Sequence, residues 1–398
     1  MSGTIRCDAL VVGARCAGAA TAMLLARRGL RVLAIDRSGY GADTLSTHAL
    51  MRGGVLQLHR WGVLPRLLEV GTPAVRTTAF HYGDEAVEVP VKPGHGVDAL
   101  YAPRRTVLDS TLVDAAQEAG ADIRHGHVLT ELTRRSDGRV GGGIVLGPDA
   151  TPIEVEAGLV IGADGIGSAV ARLAGADVLR TAQHSTAVVY GHWSGVGTSG
   201  YHWYFRKGVS AGAIPTNAGQ HCVFASMPME RFRSEVRHDL AAGYHRILEE
   251  TSPDLAATVA ASRLDTRLWA FAGRKGFMRT PCGPGWALVG DAAYFKDPLT
   301  AHGITDALRD AELVAEAAAQ GSDQAFAECA AIREELSLPL FEATDAIASF
   351  GWDLDGVKHH HYALNKAMKH EVEFLAGREI THPLADQAPA PQHTEYVP

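Results

Sequence analysis

The chain has 398 residues, more than one ordinary domain needs and enough for two interleaved ones. With 46% hydrophobic and 21% charged residues it reads as a globular protein with a sizeable core, and its net charge of −8 speaks against a general nucleic-acid or anionic-membrane binder. The five scattered cysteines, without a C-x-x-C pair, speak against a disulfide framework or a zinc site and point to a reducing cytoplasm.

Residues 9–12 form a short apolar run that predicts a buried parallel strand. A glycine turn interrupts it in place of a cleavage site, so no signal peptide is expected. No later run approaches the ~18 apolar residues of a membrane span. Residues 19–28, rich in Ala and Leu, predict a helix closed by Gly29, and residues 31–35 predict a second strand ending on Asp36. That βαβ order is the one a dinucleotide fold requires. Residues 53–68 read as helical, residues 77–91 as an antiparallel strand pair, and residues 105–121 as a helix with Leu108, Leu112 and Ala115 on one face. Short strands follow over 123–144, with a hairpin turn at Ser136-Asp-Gly-Arg, and a buried strand over 158–163.

Residues 182–275 change character. They are strand-like, with aromatics and histidines gathered at Tyr190, His192, Trp193, Tyr201, Trp203 and Phe205, and a helical stretch over 229–248 interrupts them. Residues 287–290 return to a buried strand. Helices are expected over 303–320, 323–336 and 340–375, and the Pro-, Gln- and Ala-rich tail after Pro383 is expected to be disordered.

Gly13-Ala-Arg-Cys-Ala-Gly18 lies between the first strand and helix. A tight turn there leaves free helix N–H groups facing a pyrophosphate, and Asp36 can accept ribose hydroxyls. Arg15 replaces the middle glycine, and its guanidinium can serve phosphate directly. Such a turn can bind NAD or FAD. Two more glycine corners follow buried strands: Gly162-Ala-Asp164-Gly165-Ile-Gly-Ser168, and Gly290-Asp291 leading through Asp297-Pro298-Leu-Thr-Ala-His302-Gly303 into a long helix. Gly138-Arg-Val-Gly-Gly-Gly143 sits in a hairpin and supplies no second dinucleotide site.

With Arg52-Gly-Gly-Val-Leu and Arg105-Thr-Val-Leu108, these motifs resemble those of the glutathione-reductase-type FAD enzymes. More narrowly, they resemble the para-hydroxybenzoate hydroxylase branch, which includes the flavin halogenases and geranylgeranyl reductases. The resemblance covers roughly residues 10–313. It implies an α/β fold in which a Rossmann FAD-binding domain (1–75, 101–181 and 276–340) interleaves with an antiparallel β-sheet substrate domain (76–100 and 182–275). C-terminal helices (341–383) and a disordered tail (384–398) would follow.

The resemblance also implies site roles. Gly13, Arg15, Ala17, Gly18, Asp36 and Arg37 would serve the adenosine and pyrophosphate half of FAD, with Arg52 reaching the pyrophosphate and Asp164 bracing it. Asp291 would accept from the ribityl hydroxyls and Arg105 would reach the ribityl or isoalloxazine region. Pro298, Thr300, Ala301, Gly303 and Ile304 would form the loop facing the flavin's pyrimidine edge. Ala301 and Thr305 replace a glycine and an asparagine of the family's loop pattern. His302 is either a general acid or base beside the flavin or a histidine that fills space. Tyr190, His192, Trp203 and Tyr294 are the candidate substrate pocket, although a sheet that packs aromatics is also ordinary core. Tyr201-His-Trp203-Tyr-Phe205 is similar to a Tyr-x-Trp-x-Phe-Pro segment of the prenyl reductases, with Arg206 in place of the proline. The run His359-His360-His361 is expected on a solvated helix face, since helical neighbours cannot converge on one ion, and no metal is expected.

The first functional expectation is an FAD monooxygenase of secondary metabolism. NAD(P)H would bind transiently as reductant, and O2 would react through a flavin hydroperoxide to hydroxylate a hydrophobic or aromatic small molecule. The second is a flavin-dependent reductase or dehydrogenase of an isoprenoid-like substrate. A halogenase and a flavin-binding protein without turnover rank below both. Substrate identity, NADH against NADPH, and oligomeric state stay open.

Overall fold

The strand Ile5–Val12 is the axis on which the first sheet is built, because it is flanked by a parallel partner on each side. Val12 stands opposite Ile35 of strand Val32–Asp36 and opposite Gly162 of strand Pro152–Gly162. Strands Asp122–His125 and Trp286–Leu288 extend the parallel set outward on either side. The sheet is therefore assembled from distant pieces of chain, and its central strand ends are buried on both faces. Hairpin strands Val128–Arg134 and Val140–Leu146 attach to it antiparallel. The structure, a computed structural model, describes residues 4–378; the tail expected at 384–398 lies outside them.

Helix Cys16–Arg27 is buried on nearly every side, consistent with its Ala- and Leu-rich composition. It packs between helices Arg105–Glu118 and Gly303–Gln320. The second sheet runs in the order 263–264, 186–194, 220–228, 209–215, 201–206, 77–82, 85–90, antiparallel except where Tyr201–Arg206 meets Thr77–Tyr82. Strand Tyr201–Arg206 alternates in burial, so Tyr201, Trp203 and Phe205 face inward together. A small third sheet of residues 178–181, 277–279 and 294–295 joins the two.

Three sequence expectations change. The helical stretch at 53–68 is two helices, Arg52–Arg60 and Leu64–Glu69, because Gly62 takes a left-handed φ of 71° between them. The break expected near residue 338 is absent: one helix runs from Asp323 to Ala348 through Pro339. Proline normally costs a helix a hydrogen bond, but here Leu336, Leu340 and Phe341 on either side are buried and hold the helix to the core. The histidine run also divides. His359 is exposed, whereas the Nδ1 of His361 is 2.9 Å from the Tyr82 hydroxyl, and its ring packs 4.5 Å from that of Phe205. No helix among the described residues is long and apolar enough to cross a membrane, and the five cysteines are free.

Candidate functional site

One cavity of about 600 Å³ runs along the C-terminal ends of the central parallel strands and under the second sheet. Such a crevice is where open α/β sheets bind ligands. Asp36, Arg37, His127 and Leu129 line one part. The Gly13–Ala17 turn, Arg105, the Ala163–Gly167 corner and Asp291 line the middle. Pro298, Leu299, Ala301, Gly303 and Ile304 follow, and Tyr190, Trp203, Phe224, Phe271 and Phe295 line the part beneath the second sheet.

Close backbone packing explains the glycines. Gly13 has φ +102°, and a Cβ there would collide with the Ala163 carbonyl oxygen; one on Gly18 would collide with the Gly13 carbonyl. Only glycine lets the turn lie this close to the neighbouring strand end. A Cβ on Gly303 would meet nothing nearer than Asp291 Oδ1 at 3.9 Å, so that position opens onto the cavity.

The three acids differ in how much of their capacity the protein already uses. Asp36 accepts from Ala14 N–H at 2.8 Å and Ser38 N–H at 2.7 Å, so it fixes the glycine turn while still lining the cavity. Asp164 accepts from Ser168 Oγ at 2.5 Å and Ala169 N–H at 2.6 Å, capping helix Ala169–Ala174, as turn acids do. Asp291 has no hydrogen-bond donor among the described residues, and it lines the cavity. Burial pushes its carboxyl up to about 6, against the pull of Lys296 and Arg105.

The arginines separate as well. Arg105 is buried, chelates Asp109 through two 3.0 Å bonds and lies 3.4 Å from Cys16 Sγ on the cavity wall. Arg15 lines the cavity, but its guanidinium holds the carbonyls of Ala42 and Asp43 and reaches Asp109 at 3.4 Å. Arg37 is exposed on the cavity rim. Arg52 leaves the cofactor set: it is absent from the cavity wall, and its guanidinium donates to the carbonyls of Lys92, Gly94 and Val97.

The loop ahead of helix Gly303–Gln320 is set by buried polar contacts. Asp297 accepts from Thr186 N–H and Oγ and from Leu299 N–H, anchoring the loop to the second sheet. Ala301 holds φ +50°, the left-handed geometry that the family's glycine would supply without strain. Thr300 is buried against Thr344 at 3.1 Å and does not reach the cavity. Of the two readings of His302, its surroundings favour the histidine that fills space. Its ring is 1% exposed and turned away from the cavity, with Nε2 2.7 Å from Glu371 Oε2. Glu371 also receives Arg309 at 2.6 Å, while Lys296 pairs with Asp306 and Arg309 reaches Asp306 and Asp310. Burial alone would raise the Glu371 carboxyl, but His302 and Arg309 hold it down at about 2. His302, Asp306 and Glu371 stand close enough to share an ion, but Lys296 and Arg309 already neutralise these carboxylates.

Two of the four candidate pocket residues, Tyr190 and Trp203, line the cavity. Tyr294 does not: its hydroxyl donates to the Ser337 carbonyl at 3.2 Å in a separate small core. His192 stands one layer back, its Nε2 2.8 Å from that of His48, and His48 is the one on the wall. The segment that carries His48, residues 44–49, was missed in the sequence, as were Phe224, Ser226, Phe271 and Phe295. The available signal was length: about fifteen residues without regular structure separate Asp36 from helix Arg52–Arg60, and long structured loops are where function concentrates.

The residues present fit FAD. Asp291 offers an acceptor without a protein donor. Neither Arg15 nor His302, at the N-caps of Cys16–Arg27 and Gly303–Gln320, caps its helix with a side chain, so first-turn N–H groups remain for an anionic group and a carbonyl edge. The FAD binding domain model matches residues 6–325. A digeranylgeranylglycerophospholipid reductase 2 from Methanothermobacter thermautotrophicus is 30% identical over 79% of this chain and 78% of its own length. A menaquinone reductase from Mycolicibacterium smegmatis is 27% identical over 79% and 77%. Among solved structures, PqsL of Pseudomonas aeruginosa, described as a probable FAD-dependent monooxygenase, shares the fold with a TM-score of 0.77 at 19% identity, covering 90% of this chain and all of its own.

Proposed function

The chain belongs to the FAD-binding-domain family of oxidoreductases, and from that premise we propose that it is a monooxygenase acting on a compact aromatic molecule, with NAD(P)H as transient reductant and O2 as co-substrate. The observation that carries this reading is the aromatic chamber. Tyr190, Trp203, Phe224, Phe271 and Phe295 share one cavity with Asp291 and the Pro298–Gly303 loop. Ser226 and His48 line the same chamber. Few, well-placed polar groups in an apolar chamber are what orients a planar substrate.

FAD, when bound, supplies the redox and oxygen chemistry. The residues supply the rest. Asp36 and Asp291 would hold its two ends. The first N–H groups of helix Gly303–Gln320 present partial positive charge where negative charge develops on reduction. The aromatic rings keep water from the reacting edge and set the plane of the substrate.

A second reading, reduction of an apolar unsaturated substrate, draws on the identity with the digeranylgeranylglycerophospholipid reductase. Product analysis under 18O2 separates the two. A monooxygenase consumes NAD(P)H with substrate only in the presence of oxygen and places labelled oxygen in the product. Substrate reduction under strict anaerobiosis, with no label incorporated in air, would favour the reductase and overturn the first reading.

A further inference from the structure

The inner face of the second sheet carries a row of rings with one gap in it. Tyr190 stands opposite Phe224, Phe224 opposite Gly212, and Gly212 opposite Trp203, so a glycine separates two aromatic positions of the chamber. Tyr190, Phe224 and Trp203 line the cavity, and Gly212 does not. The Phe224 ring covers it. A Cβ on Gly212 would stand 2.4 Å from Phe224 Cε1 and 2.5 Å from Cζ, far inside contact distance. A glycine within a strand gives up side-chain packing and marks a close approach. Here the group that approaches is a wall of the chamber.

The ring has little freedom to lie elsewhere. It leans across Gly212 toward Trp203, whose ring centroid is 5.6 Å away and tilted by 55°, while Tyr190 occupies the neighbouring position of the row. Phe224 is 3% exposed and belongs to the main core. A methyl group at residue 212 would also stand 2.8 Å from the His202 carbonyl oxygen. That oxygen is backbone, held in the sheet where His202 faces Ala213, whereas the ring is the end of a rotatable side chain. The ring is therefore the part that yields, and the direction open to it is off the sheet, into the cavity.

We propose that Gly212 sets the size of the substrate that the chamber admits, by letting Phe224 lie flat against the sheet. The proposal rests on the aromatic-substrate reading and adds to it an order of preference. Larger planar molecules use the depth that this glycine leaves, and smaller ones do not need it. Phe224 is the specificity-determining contact; Gly212 is a positioning residue that acts through it. A cross-strand ring over a strand glycine also serves stability. Selectivity separates the two roles: a loss of stability weakens every ligand alike, whereas a lost size limit weakens the larger one first.

The test uses FAD-loaded protein. In a crystal structure of Gly212→Ala the Phe224 ring is expected about 1 Å farther from the sheet, the shift that turns a 2.4 Å approach into ordinary contact. A ring left in its parental place, with strand Val209–Pro215 moved instead, overturns the proposal whatever the ligand. Calorimetric titration with phenol and 1-naphthol supplies the second arm. Gly212→Ala is expected to weaken 1-naphthol by about 10-fold and phenol by less than about threefold, because overpacking penalises the ligand that needs the space. The double variant Gly212→Ala/Phe224→Leu should bring 1-naphthol back to the parental Kd. Equal weakening of both probes, no weakening of either, or no recovery in the double variant overturns the proposal. Should Gly212→Ala fail to fold, Phe224→Leu alone decides: it should tighten 1-naphthol relative to phenol, and an unchanged ratio overturns the size limit. If neither probe binds the parent, the aromatic-substrate reading falls, and the position of the Phe224 ring in Gly212→Ala still decides whether Gly212 shapes the cavity.

Discussion

Replacing Asp291 by Asn should stabilise the FAD-free protein and weaken its hold on FAD, two effects of opposite sign from one atom. Without FAD the half-buried carboxylate lines the cavity with no hydrogen-bond donor among the described residues, and desolvation pushes its pKa up to about 6. A raised acid contributes its stability below the unfolded value and loses it as pH climbs through the folded one. The parent therefore loses stability between about pH 4 and pH 6, and by pH 8 the loss amounts to about 3 kcal/mol. Asn carries no charge to desolvate, so Asp291→Asn should match the parent near pH 4 and exceed it by up to about 3 kcal/mol at pH 8. With an unfolding entropy of about 2.1 cal/mol/K per residue, that is a rise of about 4 °C in Tm. FAD affinity should move the other way, because loss of a charged acceptor costs about 1.5–3 kcal/mol, or about 10- to 100-fold in Kd. Thermal melts of the FAD-free proteins at pH 4 and pH 8, with FAD titrations by flavin fluorescence, test both halves. A variant no more stable than the parent at pH 8, or one that binds FAD equally well, would refute the reasoning.

Gly303→Val should leave the FAD-free Tm within about 1 °C of the parent, since the new side chain enters open cavity, yet raise the Kd for FAD by more than about 10-fold; equal affinity would mean that this wall does not contact the cofactor. Ala301→Gly should stabilise by about 1 kcal/mol, read by urea denaturation, because φ +50° costs alanine and not glycine. Glu371→Gln should destabilise by about 3–5 kcal/mol, since it leaves Arg309 and Lys296 short of a counter-charge. His302→Ala should lower stability in the same denaturation assay while turnover per bound FAD falls only a few-fold; a loss of ~100-fold would restore it as an acid–base group.

The parts legible in the sequence share a physical basis in local backbone demand. Gly13, Gly18 and Asp36 could be read because a turn that tight, followed by a helix and a strand ending in an acid, has few other uses. The run 303–320 could be read because its apolar period is regular and Gly321 closes it. Side-chain direction was not legible. His302 stands in the loop that faces the cavity, and only the packing of a helix some seventy residues later turns its ring toward Glu371. Arg52 opens a helix beside the glycine turn, yet the carbonyls of residues 92–97 capture it. Pro339 argued for a helix end by local chemistry, and burial of its neighbours overrode it. His48 carried no local signal, because its significance arises only where its segment meets strand Thr186–Ser194 across 144 residues of sequence.

The ion pairs at Glu371 also set an order of events during synthesis. The chain leaves the ribosome from its N-terminus, and helix Gly303–Gln320 emerges with Arg309 and with Lys296 just ahead of it, long before residue 371. Until helix Leu354–Ala376 arrives, His302 and Arg309 lack Glu371, while Lys296 and Arg309 already have Asp306 and Asp310 beside them. The charge pairing beneath the loop that would face the flavin is therefore complete only when helix Leu354–Ala376 is in place. A chain cut between helix Gly303–Gln320 and residue 371 would keep every glycine motif and lose the carboxylate that His302 and Arg309 share.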